Sequence, residues 1–180
     1  MLREPPLPYG PPDEFGIPER MFSQVPEGFF GLMGRVAMVA AVLDDRPVTL
    51  LTQLTGSHQG KYAGWMPGRS LPELKKVLTT RRPELAAEGI GLVERLHSAF
   101  DGRNELIHSL WPHPTLEYAY GHRGVASGKR TDPNDFSVGI TTNRAKMIAV
   151  MTELSELYAE VRRLEMLAQR PDPPSETNQT

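Results

Sequence analysis

The stretch LVERLHSAFDGRNELIHSL, Leu92–Leu110, decides how this chain is read. Leu92, Leu96, Ala99, Leu106 and Leu110 recur at three- and four-residue steps, the period of one buried helix face. Position 103 falls on the same seam, yet it is an arginine. A guanidinium where an apolar side chain belongs must find acceptors or a phosphate, because an unpaired buried charge is strongly unfavourable. A second seam is polar and runs through Glu94, His97, Asp101, Asn104 and His108. Asn104 and His108 are four residues apart, so they stack on one face with Arg103 beside them. Arginine offers a fork of donors to anionic oxygens, and histidine titrates near neutrality and moves protons. Asn104 is placed to orient the imidazole or to donate to the same phosphate.

Working outward, the periodicity is helical almost everywhere. Phe29, Leu32, Met33, Val36, Val39, Ala40 and Leu43 form one apolar face that ends near Asp44-Asp45. Pro47 suits the first turn of a short second helix carrying Leu50, Leu51 and Leu54. Gly56 to Gly68 is a glycine-rich connection, and Leu71, Leu74 and Leu78 mark a third helix. Pro83 opens a long helix running towards Trp111. Gly89, Gly91 and Gly102 weaken it, each by about 1 kcal/mol against alanine, and Asp101-Gly102 is a candidate break. A final helix from about Thr142 to Ala168 carries Met147, Met151, Leu154, Tyr158, Val161 and Leu164, with both methionines as packing residues. Before it, Tyr118 and Tyr120 alternate with small residues, and Phe136, Val138 and Ile140 repeat at period two. Gly124 to Asn134 between them is polar and turn-rich. The expected fold is an all-α helical bundle with a short β-hairpin inserted before the last helix.

The ends are different in kind. Residues 1–27 contain Pro5, Pro6, Pro8, Pro11, Pro12, Pro18 and Pro26, a density that blocks helix and ladder hydrogen bonds and predicts an extended or disordered arm. Residues 28–169 form the helical domain, and the segment 170–180, with Pro171, Pro173 and Pro174, reads as a disordered tail.

A chain of 180 residues is long enough to bury a proper core. It has no cysteine, so neither a disulfide frame nor a thiolate metal site is available. The most apolar run, Gly28–Leu43, is short for a membrane span and is interrupted by Arg35. No secretory signal pattern opens the chain, and a cytoplasmic protein without membrane contact is expected. Net charge is only −2, so no global field draws it to nucleic acid. Locally, Lys61, Arg69, Lys75, Lys76, Arg81 and Arg82 face only Glu73. Arg123, Lys129, Arg130, Arg144 and Lys146 outnumber Asp132 and Asp135. Either group is a candidate phosphate rim, and for each taken alone the plainer reading is solvated surface.

The run Arg103-Asn104-Glu105-Leu106-Ile107-His108 resembles the HEPN superfamily. Its nuclease members carry an arginine, four to six residues and a histidine, often with asparagine directly after the arginine. The helical order over roughly residues 28 to 168 is similar too, with the motif towards the end of the third long helix. This resemblance implies a homodimer with two motif helices at a shared cleft. It also implies metal-independent endoribonuclease activity through attack of the RNA 2′-hydroxyl, with no cofactor. His108 would transfer the proton and Arg103 would steady the charged phosphorane, with Asn104 beside them. A toxin or defence role is implied, with an antitoxin or regulatory protein as a further partner. Some relatives are silenced on a tyrosine two residues past the histidine, where this chain has Leu110.

Trp111 and Tyr118 are candidates to stack on RNA bases, with Arg123, Lys129 and Arg130 as phosphate contacts, although such aromatics commonly close a core edge. His108, His113, His122 and Asp101 follow no zinc spacing, so no metal site is expected. Gly56-Ser57-His58-Gln59-Gly60-Lys61 is one residue short of a phosphate loop, and Tyr62 stands where Ser or Thr would bind magnesium. The alternative function is a non-catalytic dimeric interaction or nucleic-acid-binding module, in which Arg103 and His108 only tie a helix end to the following loop.

Overall fold

The structure, a computed structural model, describes residues 25–112, 114–124 and 137–169. They are mostly helical: α1 (Glu27–Asp44), α2 (Arg46–Thr55), a 3₁₀ turn (Gln59–Lys61), α3 (Pro67–Arg81), α4 (Pro83–Ile107) and α5 (Arg144–Ala168). Strands β1 (Ala119–Gly124) and β2 (Ser137–Thr142) pair antiparallel, from Ala119 opposite Thr142 to Gly124 opposite Ser137. The hairpin therefore stands where the alternation placed it, before the last helix. The N-terminal arm up to residue 24, the hairpin's connecting residues 125–136 and the tail from 170 lie outside the described residues. Among the described residues no helix is long and apolar enough to cross a membrane.

Local chemistry sets the helix ends. Pro47 and Pro67 occupy the first turns of α2 and α3, where the missing N–H removes no intrahelical bond. Gly56 closes α2 at φ 61°, a left-handed cap that costs glycine little. Asn143 caps α5, its Oδ1 accepting from the Lys146 N–H at 2.8 Å. Two expectations for α4 need correction. Asp101-Gly102 does not break it, since one glycine's penalty is small beside the burial of Phe100 and Leu106 on either side. The helix ends at Ile107, short of Trp111. Leu110 accordingly leaves the core seam and is 72% exposed.

Contacts divide the described residues into two compact units, each built from separate segments: those up to Val36 with those of Asn104–Ala149, and Ala37–Arg103 with those from Val150 onward. The second unit holds the larger apolar core. Leu43, Leu50, Leu51, Leu74, Leu78, Leu96, Leu154, Leu157, Val161 and Leu164 are all fully buried in it. Gly89 lets α4 approach α3 closely, for a Cβ there would lie 2.6 Å from Leu78 Cδ1. Ion pairs edge this core: Arg95 reaches Glu153 at 3.0 Å and Glu160 at 2.6 Å, and Arg163 pairs with Glu88. Glu165 is buried and shared by Arg162 and Arg46.

The first unit is organised around Trp111. Its indole meets Phe29 edge-on at 6.0 Å, and its Nε1–H donates to the Leu106 carbonyl at 3.0 Å. Leu110 and His122 exchange two backbone hydrogen bonds, of 2.8 and 3.0 Å, which fasten β1 to the segment following α4. A Cβ on Gly121 would lie 2.6 Å from the Trp111 ring and 2.7 Å from the Leu110 carbonyl oxygen. Gly121→Ala is therefore expected to destabilise the protein by about 1–3 kcal/mol through overpacking. Urea denaturation checks this, and an unchanged midpoint would show that the hairpin does not depend on this contact.

Candidate functional site

The segment singled out by sequence sits at the C-terminal end of α4. Asn104 and His108 are one turn apart there, the His108 N–H donating to the Asn104 carbonyl at 3.1 Å. The His108 side chain is exposed and makes no hydrogen bond among the described residues, whereas Asn104 is half-buried. One position along, Glu105 holds Lys146 at 3.3 Å, and that ammonium also donates to the Thr141 carbonyl at 3.2 Å. The helix end thus presents a polar face on which, among the described residues, the His108 imidazole has no hydrogen-bond partner.

Arg103 belongs to the other unit, and its environment is well defined. Its Nη2 donates to Asp44 Oδ1 at 2.7 Å, with the two side chains 14% and 29% exposed. The guanidinium carbon stands 5.6 Å from the Phe100 ring centre, and Nε is buried without a partner among the described residues. Burial pushes the Asp44 carboxyl above its ordinary pKa, and the charge and hydrogen bond of Arg103 only partly offset this. The arginine on the apolar seam therefore has an acceptor. In the sequence Asp44 marks only the end of an apolar face. No local signal links residues 44 and 103, because their pairing arises only in the tertiary fold.

The other candidates fall in several places. Trp111 is half-buried and closes a core edge through Phe29 and Leu106. Tyr118 is 57% exposed just before β1. Arg123 lies on β1, half-buried, opposite Val138. Neither Tyr118 nor Arg123 makes a hydrogen bond with His108. Lys129 and Arg130 lie outside the described residues. Set against family models, curated proteins and solved structures, the chain matches none.

Further back along α4, the polar seam borders an open groove of about 510 Å³ against α3, floored by Leu71 and Val93. Its ionisable side chains are paired: Lys75 with Glu94 at 3.0 Å, and His97 Nδ1 with Asp101 Oδ2 at 3.2 Å. Among the described residues no group of three or more His, Asp or Glu side chains is arranged to hold a metal ion.

Proposed function

We propose that this chain is a metal-independent endoribonuclease of HEPN type, working as a homodimer and as a toxin or defence component. The observation that carries this reading is the exposed imidazole of His108, without a hydrogen-bond partner among the described residues, one turn beyond Asn104 at the end of a continuous α4. In the reaction, the 2′-oxygen of a ribose bonds to the adjacent phosphorus and the bond to the next nucleotide's 5′-oxygen breaks. The products are a 2′,3′-cyclic phosphate and a 5′-hydroxyl. His108 transfers the proton between these oxygens, and Arg103 supplies positive charge to the phosphorane. Because the nucleophile is the 2′-hydroxyl, DNA is not cut.

A second reading is favoured by the Arg103–Asp44 ion pair, which accounts for the buried arginine without any substrate. On that reading the chain is a non-catalytic dimeric binding module. A mixed RNA pool incubated in EDTA with the wild type decides between them. Cut ends bearing 2′,3′-cyclic phosphate, together with an untouched DNA pool, support the nuclease. Intact RNA from well-folded protein supports the module.

A further inference from the structure

We propose that Lys61, Trp65, Arg69 and Lys76 form a docking platform for single-stranded RNA, a surface whose ligand class rests on the ribonuclease reading above. All four belong to the same compact unit. The chain between α2 and α3 turns through Gly64 at φ 74° and is anchored by Tyr62, which is 1% exposed. Trp65 meets the Tyr62 ring edge-on at 5.1 Å and 84°, so the indole is braced from within the protein. Arg69, in the first turn of α3, lays its guanidinium 3.8 Å from the centre of the Trp65 ring. Lys61 places its ammonium 5.0 Å from the Tyr62 ring centre. The result is a continuous line of contacts, cation to ring, ring edge to ring face and ring to cation, running Lys61, Tyr62, Trp65, Arg69.

What distinguishes these cations is what holds them. Lys75 is paired with Glu94, and Arg81 donates to the Thr55 carbonyl. Among the described residues, no carboxylate pairs with Lys61, Arg69 or Lys76. Glu73 shares the helix face between Arg69 and Lys76 without an ion pair to either, so the three cations keep a net positive charge, which for Lys61 and Arg69 is braced on aromatic faces. Lys76 follows Arg69 by seven residues, on the same helix face and about 10.5 Å along the axis. A planar guanidinium already lying on an indole offers its outer face to a base and its N–H edges to a phosphate. The ligand that uses both at once is a flexible polyanion with exposed π faces. Single-stranded RNA meets that description, whereas a duplex hides its bases.

The test is fluorescence anisotropy of the full chain with a labelled single-stranded oligonucleotide made entirely of 2′-O-methyl nucleotides, which 2′-hydroxyl attack cannot cleave. Arg69→Glu and Lys76→Glu are each expected to weaken binding about tenfold, and each should flatten the salt dependence by about one phosphate contact. Trp65→Ala should act in the same direction. Because that ring packs on Tyr62, the exposed Arg69→Ala carries the test if Trp65→Ala fails to fold. Arg35→Glu, an exposed cation of the other unit, should leave affinity unchanged. Unchanged affinity in the Arg69 and Lys76 variants overturns the platform, as does equal loss in Arg35→Glu. Polyglutamate bound with the same Arg69 dependence and better than the oligonucleotide also overturns it, in favour of an acidic protein partner. Cleavage that needs His108 while oligonucleotide affinity ignores Arg69 removes the platform and leaves the nuclease. The opposite pattern removes the nuclease and leaves the platform.

Discussion

Replacing His108 by alanine is expected to lower RNA cleavage by about 10²–10⁴-fold, the usual contribution of a positioned proton-transfer group, and to leave stability unchanged. The imidazole is exposed and makes no hydrogen bond among the described residues. The bond that does tie this residue to α4 runs from its backbone N–H to the Asn104 carbonyl, and any non-proline residue keeps it. Lost cleavage can therefore be read as lost chemistry rather than lost fold. His108→Gln keeps a polar side chain of similar reach but no imidazole to pass a proton, so it should be as inactive as alanine. Single-turnover cleavage of a labelled RNA in EDTA, paired with urea midpoints for each variant, makes the measurement. Full activity in both variants would end the nuclease assignment of this residue.

Asp44→Ala is expected to destabilise the protein by about 2–3 kcal/mol. The estimate lies between about 3–5 kcal/mol for breaking a fully buried ion pair and under about 1 kcal/mol for an exposed one. It suits side chains that are 14% and 29% exposed. Removing Asp44 strands a guanidinium whose Nε already lacks a partner among the described residues. Asp44→Asn retains an acceptor for Arg103 Nη2 and should lose clearly less. A double-mutant cycle with Arg103→Ala checks that the loss belongs to the pair, since the second substitution should then add little. The pH dependence has a definite sign. Burial raises the Asp44 pKa in the native state, so the native protein holds this proton more tightly than the unfolded chain does. That contribution is fully present below the ordinary carboxylate value and is lost as pH rises through the raised native value. Asp44→Asn should lack this component, and a wild type and variant with parallel stability–pH curves would contradict the assignment.

Much of the fold was legible because its signals are local. Pro47, Pro67 and Pro83 stand in the first turns of their helices, and Leu92, Leu96, Ala99 and Leu106 are buried on one side of α4. The period-two residues around Tyr120 and Val138 became paired strands. Two local signals misled. Gly102 is a weak helix former that its packed surroundings overrule, and Leu110 continues the seam in sequence but follows the residue where the helix ends. In the candidate site, the sequence placed Asn104 and His108 on one turn. It also marked Arg103 as out of keeping with its seam, but it held no sign of the carboxylate that answers it.

By itself, the sequence determined the helical class, the position of the hairpin and the polar run at the end of α4. Each follows from periodicity or from backbone restrictions that act within a few residues. Only the tertiary structure decided that Asp44 is the partner of Arg103 and that Trp111 closes a core edge. It alone also decided that Arg69 rests on Trp65 while Lys75 is taken by Glu94. Charged and aromatic side chains are long and rotate freely, so their partners depend on which elements pack together and on how much water that packing removes. Spacing along the chain carries no record of either.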